Sequence, residues 1–237
     1  MSATVPRLPY RGWLLDLDGT VYRGERLIPG ADRTIAALRA AGRRVAFLSN
    51  KPLQTRADYA AKLTRLGVPA EPDDVINSSL VLARHLRERD PGAPVFVIGE
   101  PPMIEEMRAH GFEVRGDERV RWVVIAFDRT FDYAKLNVAL QAVKGGARLI
   151  ATNPDRTCPV EGGEIPDCAG MIAAVEAVTD RRVEAIVGDR IETDIVMGRR
   201  LGLGTVLVLS GVTRADDPRI AAVAPDHVVR SVRELVE

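Results

Sequence analysis

The chain has 237 residues, 46% hydrophobic and 28% charged, with 33 basic and 33 acidic side chains and no formal net charge. That balance excludes a disordered or fibrous chain, and without a dense basic block it argues against nucleic acid or an anionic surface as the main partner. The two cysteines, Cys158 and Cys168, cannot staple a fold of this size, and no apolar run reaches the roughly 20 residues that a bilayer crossing needs. Met1 to Arg11 lacks the basic-then-apolar order of a secretion signal, so the cytoplasm is the expected compartment.

Trp13-Leu14-Leu15 reads as the end of a buried strand, broken at Gly19. Pro29-Gly30 opens a helix over 31–40, with Ile35 and Leu38 at helical spacing and Gly42 as its stop. Val45 to Leu48 is a second strand that runs into Ser49-Asn50. A helix over 56–66 puts Tyr59, Leu63 and Leu66 on one face. Strand, helix, strand, helix predicts a parallel sheet covered by helices.

Residues 75–79 read as a further strand and turn. Helices over 80–89, 102–110 and 133–143 then alternate with strands at 95–98, 122–127 and 147–151. This middle stretch has its own alternation and its own apolar positions. The expected organisation is a core domain in two parts, 1–80 and 166–237, with an inserted α/β unit at 81–165. In the tail, a helix over 169–178 is followed by a strand at 185–187 that ends in Gly188-Asp189. A helix over 195–201, strands at 205–209 and 227–229, and a short terminal helix at 232–236 complete the chain.

The sharpest feature is Asp16-Leu17-Asp18-Gly19-Thr20, directly after an apolar strand. Ligands of open α/β sheets bind beyond the carboxyl ends of the strands. Two crowded carboxylates there raise one pKa or recruit a cation. Mg²⁺ is hard and prefers oxygen ligands, so it suits a site without His or Cys. Ser49-Asn50 ends a second strand, Gly188-Asp189 ends a late one, and Asp194 follows five residues on. If these strand ends share one rim, they offer a nucleophilic carboxylate, a second acid, a hydroxyl and an amide for anionic oxygens, and further metal ligands. That set suits phosphoryl transfer through an aspartyl phosphate.

Three strings, DLDGTVY from Asp16, FLSN from Phe47 and VGDRIETDI from Val187, resemble the haloacid-dehalogenase-like phosphatases. The resemblance is to the subfamily with a large α/β cap, which acts on nucleotide, sugar, glycerol and p-nitrophenyl phosphates. It extends to FDRTFDY from Phe127, ATNPDRT from Ala151 and LVLSGVT from Leu207, and so covers most of the chain. It implies an α/β fold, a Rossmann-like parallel sheet core of HAD-like type with an inserted α/β cap domain. It also implies a Mg²⁺ cofactor. Asp16 is then the nucleophile and a metal ligand. Asp18 is general acid and then base, with its carbonyl on the metal. Ser49 and Asn50 hold the phosphoryl group, Asp189 binds the metal, and Asp194 orders the metal's surroundings.

The resemblance breaks at one place. Relatives carry a lysine, usually in a Gly-Lys-Pro string, ahead of the Gly-Asp motif. This chain has only Lys51, Lys62, Lys135 and Lys144 and none after them. About two dozen residues of the family pattern have no counterpart between Val178 and Ala185. Three readings follow. Lys51, beside Asn50, or Arg181 or Arg182 substitutes for the missing cation, although a guanidinium is a poor geometric replacement for an ammonium. Alternatively, the helix over 169–178 stands in for the missing core helix, which puts Asp167 where the lysine belongs. Or the chain is a catalytically impaired phosphate-ester-binding or interaction protein on the same fold.

Arg129, Asn153, Asp155 and Arg156 follow strands of the inserted unit and are the candidate substrate-binding residues. Cys158 has no His or acid at a spacing that would make it a nucleophile. His85, His110 and His227 form no metal-ligand string. A Gly-rich dinucleotide turn is missing after the first strand, which argues against a nicotinamide-binding domain. The expected partner is a small phosphorylated metabolite, with neither nucleic acid nor membrane, and association as a homodimer is left open.

Overall fold

The computed structural model describes residues 8–160, 162–186, 195–196, 198–199, 202–211 and 213–236, without the side chains of Pro159, Ala185 and Ile186. The chain divides into two compact units, one of residues 1–49, 56–76 and 189–237 and the other of residues 50–55 and 77–188.

The first unit starts with β1 (Gly12–Asp16), followed by a two-residue-strand hairpin, β2 (Tyr22–Arg23) and β3 (Arg26–Leu27). Then come α1 (Ala31–Ala40), β4 (Arg44–Ser49), α2 (Arg56–Arg65) and β5 (Val75–Asn77). The sheet order is β1–β4–β5, and β1 pairs β4 in parallel with Trp13 opposite Val45 and Asp16 opposite Leu48. Strand side chains alternate between faces. Trp13 and Leu15 of β1 and Val45 and Phe47 of β4 are therefore buried together, against Ile35 and Leu38 of α1 and Tyr59 and Leu63 of α2. Leu14, on the other face, is 51% exposed. The hairpin was not legible as strands: it is short and polar, and its turn is made by Gly24 at φ 55°.

The second unit holds α3 (Ser78–Arg89), β6 (Pro94–Ile98), α4 (Pro101–Ala109), β7 (Glu113–Val114), β8 (Trp122–Ile125), α5 (Tyr133–Lys144) and β9 (Arg148–Ala151). An antiparallel hairpin of β10 (Thr157–Val160) and β11 (Gly163–Pro166) follows, then α6 (Cys168–Thr179) and β12 (Ala185–Ile186). Helix α3 starts at Ser78, earlier than its periodicity predicts, because the Asn77 side chain accepts from Leu80 N–H at 2.9 Å and caps it.

Five parallel strands lie in the order β12–β9–β8–β6–β7. Both faces are buried, as an all-parallel sheet requires. Val95 and Val97, Trp122 and Val124, and Ile150 pack with Leu82 and Leu86 of α3 and Met103 and Met107 of α4. The alternate residues, Phe96 and Ile98, Val123 and Ile125, and Leu149 and Ala151, pack with Ala139 of α5 and with Met171 and Val175 of α6. This is a doubly wound sheet. Back in the first unit, β13 (Val206–Val208) pairs β14 (His227–Val229) in parallel, and Val232 and Leu235 fold into the core around Ile35.

One expected placement is corrected. The strand before Gly188-Asp189 forms, but Ala185 and Ile186 pair with Ile150 and Ala151 of β9, so it lies in the five-stranded sheet and not beside β1. Helix α6 packs on α5 and β8 in the same unit, which leaves it no role as a substitute core helix. The reason is compositional: α6 is apolar enough (Met171, Ile172, Val175) to complete one face of the middle sheet, and the short strand after it has an open edge to join.

Within the second unit Asp128 is fully buried, and Lys135 Nζ reaches its Oδ2 at 2.5 Å while Thr130 donates from both its N–H and its Oγ1. Burial pushes the Asp128 carboxyl up, but the bonds from Lys135 and Thr130 outweigh it and hold the group below its ordinary range. Lys135→Met should therefore cost about 3 kcal/mol, because it strands a buried charge. Urea unfolding of the two proteins checks this, and an unchanged midpoint would contradict it.

Candidate active site

In the first unit, Asp16 ends β1 and Ser49 ends the neighbouring β4, next to Leu48 that faces Asp16 across the ladder. Adjacent strands lie about 4.8 Å apart, so the two residues sit on one rim. Beyond Asp16 the chain closes a tight turn. The Leu17 carbonyl accepts from Val21 N–H at 3.0 Å and from Tyr22 N–H at 3.1 Å, and Gly19 N–H donates back to Tyr22 O at 2.7 Å. Gly19 is required there. Its φ is 90°, and a Cβ would lie 2.6 Å from the Cα of Gly211. Ser210 Oγ donates to Gly19 O at 2.6 Å and locks the turn from the far end of the sequence. Leu17, Thr20 and Val21 are buried by this fold, while Asp16 is half-buried and Asp18 exposed.

Ser49 is 6% exposed, and its Oγ donates to Tyr59 Oη at 3.0 Å. Sequence periodicity read Tyr59 only as a core residue of α2; its hydroxyl is the missed feature, and no spacing rule could have found it. Tyr22 lies fully buried nearby. Burial above all, with the nearby Tyr59 phenol and the Asp18 and Asp16 carboxylates adding to it, pushes its phenol far up, so it stays protonated. Lys62 Nζ stands 3.9 Å from the Tyr22 ring centroid and 3.3 Å from Glu25 Oε1, which ties α2 to the β2–β3 hairpin. Tyr59→Phe should remove one partner of the Ser49 hydroxyl and lower kcat about fivefold, the worth of one neutral hydrogen bond. Steady-state kinetics check this; a wild-type kcat would dismiss Tyr59 as an orienting group.

In the second unit, Asn50 Nδ2 donates to Asp155 Oδ2 at 2.7 Å, and Ser78 Oγ donates to the Asn50 carbonyl at 2.8 Å. Asn153 Nδ2 reaches Asp155 Oδ2 and Asp167 Oδ1, each at 3.1 Å, and its Oδ1 accepts from Thr152 Oγ1 at 2.8 Å. Asn153, Asp155 and Asp167 are all buried. Asp167 also caps α6, accepting from Cys168 N–H at 2.6 Å. Arg129 makes a two-pronged pair with Glu100, at 2.7 Å from Nε and from Nη2, which holds the Glu100 carboxyl below its usual range. Arg156 is exposed ahead of β10, and Lys51 is half-buried beside Asn50.

The structure thus brings Asp16 and Ser49 together on one rim, and gathers Asn50, Asn153 and Asp155 into one network. It sets Arg129 apart on Glu100. Asp189 and Asp194, the expected metal ligands from the late strand, lie outside the described residues. Neither cysteine is built as a nucleophile: both are buried, and burial pushes the Cys168 thiol up to about 12.

Comparison with known proteins follows the same pattern. Residues 13–113 match the family model described as haloacid dehalogenase-like hydrolase, and residues 166–235 match a second, HAD-hydrolase-like model. The chain is 36% identical to the sugar-phosphatase AraL of Bacillus subtilis, over 95% of this chain and 92% of that protein. The alignment runs over 252 positions, more than the length of this chain, so part of it falls opposite gaps here. Among solved structures, a p-nitrophenyl phosphatase from Archaeoglobus fulgidus superposes with a TM-score of 0.88 at 28% identity, covering 95% of this chain and 97% of that one. A glycerol phosphate phosphatase from Mycobacterium tuberculosis, in complex with magnesium, superposes at 0.82 and 29% identity over 95% of this chain and 76% of that one.

Proposed function

The chain belongs to the haloacid dehalogenase-like hydrolases and is a phosphoric monoester hydrolase, and on that premise we propose that it cleaves a small phosphate monoester with Mg²⁺, through an aspartyl phosphate on Asp16. The observation that carries this is the placement of Asp16 at the carboxyl end of β1, with Asp18 in the turn beyond it and Ser49 ending the next strand. The donor set fits Mg²⁺: the Asp16 carboxylate and the Asp18 carbonyl are hard oxygen donors at one strand end, and Asp189 and Asp194 would complete the set. A bound Mg²⁺ offsets the charge between the carboxylate and the phosphate.

An Asp16 oxygen attacks phosphorus while the bond to the leaving oxygen breaks. The Asp18 carboxyl gives its proton to that oxygen. Water then attacks the aspartyl phosphate, Asp18 takes the proton, and phosphate leaves with Asp16 restored. Ser49 Oγ and the Asn50 amide hold the phosphoryl oxygens. Lys51 supplies the cation nearest to them along the chain, and Arg129, committed to Glu100, is not spent on the phosphate. We read the second unit as the inserted cap, the substrate as a small phosphorylated metabolite of sugar or glycerol type, and the compartment as the cytoplasm.

A phosphate-ester-binding protein with impaired turnover is the second reading, favoured by one observation: no lysine follows Lys144. Phosphate release from glycerol, sugar and p-nitrophenyl phosphates, with Mg²⁺ and with EDTA, separates the two. Mg²⁺-dependent release supports the phosphatase. Binding of the esters without release supports the second reading.

A further inference from the structure

We infer that Asp155, fixed by Asn153 and Asp167, is a positioning residue that aims the Asn50 side chain, and that it is not a substrate ligand. The assignment rests on the phosphatase reading for its kinetic consequence, while its hydrogen bonds stand without it.

Hydrogen-bond capacity decides the matter. An amide nitrogen has two protons. Those of Asn153 are both spent, on Asp155 and Asp167, and its oxygen accepts from Thr152. At 1% exposure Asn153 has no proton left for a ligand. It works as a clamp that spans two carboxylates. Asp167 is itself fixed at the head of α6 by Cys168 N–H, and Ala169 N–H donates to Asp155 O at 2.9 Å. Both anchors of the clamp therefore sit on the start of a helix whose core face is buried in the sheet.

Asp155 in turn receives Asn50 Nδ2 at 2.7 Å, at the short end of the range for an N–H···O bond. A carboxylate only accepts, so this bond also settles which end of the Asn50 amide is nitrogen. One Nδ2 proton goes to Asp155, and among the described residues the second meets no acceptor, which leaves it for an anionic oxygen. The Asn50 carbonyl is held separately by Ser78 Oγ at 2.8 Å. Backbone and side chain of Asn50 are thus fixed from two directions. An asparagine on a loop otherwise samples several rotamers, and a misplacement of 1 Å in such a group costs roughly 100-fold in rate.

The sequence signal was present as Thr152-Asn153-Pro154-Asp155, but its polar residues read as a loop open to substrate. Their burial reverses that reading. The network is built inward.

Two measurements test the inference. The first is the side-chain amide signal of Asn50 in a ¹⁵N-correlated spectrum, identified by its loss in Asn50→Ala. In the intact protein it should be slow to exchange with water. In Asp155→Ala it should become fast and move to the position of a solvent-exposed asparagine, while Asp155→Asn, which keeps an acceptor oxygen, restores part of the protection. This readout needs no turnover, so it stands even if the phosphatase reading fails. The second is a double-mutant cycle in kcat for p-nitrophenyl phosphate. Asp155→Ala should lower kcat by roughly 10- to 100-fold with little change in KM, and in the Asn50→Ala background it should lower it no further. An Asn50 signal unmoved by Asp155→Ala overturns the inference, as do kinetic effects that multiply.

Discussion

Replacing Asp16 by Asn should reduce phosphate release by a factor on the order of 10⁴–10⁶. The substitution changes almost nothing in volume. It swaps a carboxylate for an amide that neither attacks phosphorus nor binds a hard cation as an anion. Asp16 is half-buried at the end of β1, where Asn keeps its size and shape. Circular dichroism should match wild type while the rate collapses. Equal rates for wild type and D16N would remove Asp16 from the chemistry.

Asp18→Asn should show a dependence on the leaving group that no structural defect imitates. With an alkyl monoester such as glycerol phosphate the leaving oxygen needs a proton, and loss of the acid should cost roughly 10²–10⁴. The p-nitrophenolate ion leaves without help, so D18N should still release it once. The second step then lacks its base for water. A burst of p-nitrophenol equal to the enzyme, followed by a stall, is the expected trace. The turn that carries Asp18 is held by backbone bonds at Leu17 O and Gly19, which the exchange leaves in place. Equal slowing on both esters, without a burst, would assign Asp18 a different role.

Where the apolar pattern was strong, the fold was legible. Alternation of Val95 to Ile98 and Trp122 to Ile125 marks strands buried on both sides, and the spacing of Ile35 and Leu38 marks a helix face. Partner choice was less legible. Two strands can read alike and join different sheets, because the ladder is made by backbone groups that carry no sequence label. Ala185–Ile186 shows this: the residues announce a strand, but only the open edge of β9 determines which sheet it extends. The rim residues Asp16, Asp18 and Ser49 were legible because charge and hydroxyl at strand ends interrupt an apolar run. Tyr59 was not, and Asp155, singled out as a candidate substrate contact, gave no sign of its bond to Asn50. Tyr59 looks like a core residue and Asp155 like a loop residue, and in each the informative atom is one oxygen whose partner lies 10 or 105 positions away.

The central claim is that the phosphoryl group rests on Asp16 between the two halves of the reaction. D18N mixed with p-nitrophenyl phosphate, quenched in acid after the burst and digested at low pH, tests it most directly by mass spectrometry. The peptide that spans Trp13 to Arg23 should carry one phosphoryl group, located on Asp16. A burst that leaves this peptide unmodified, or a phosphoryl group on any other residue, would contradict the account.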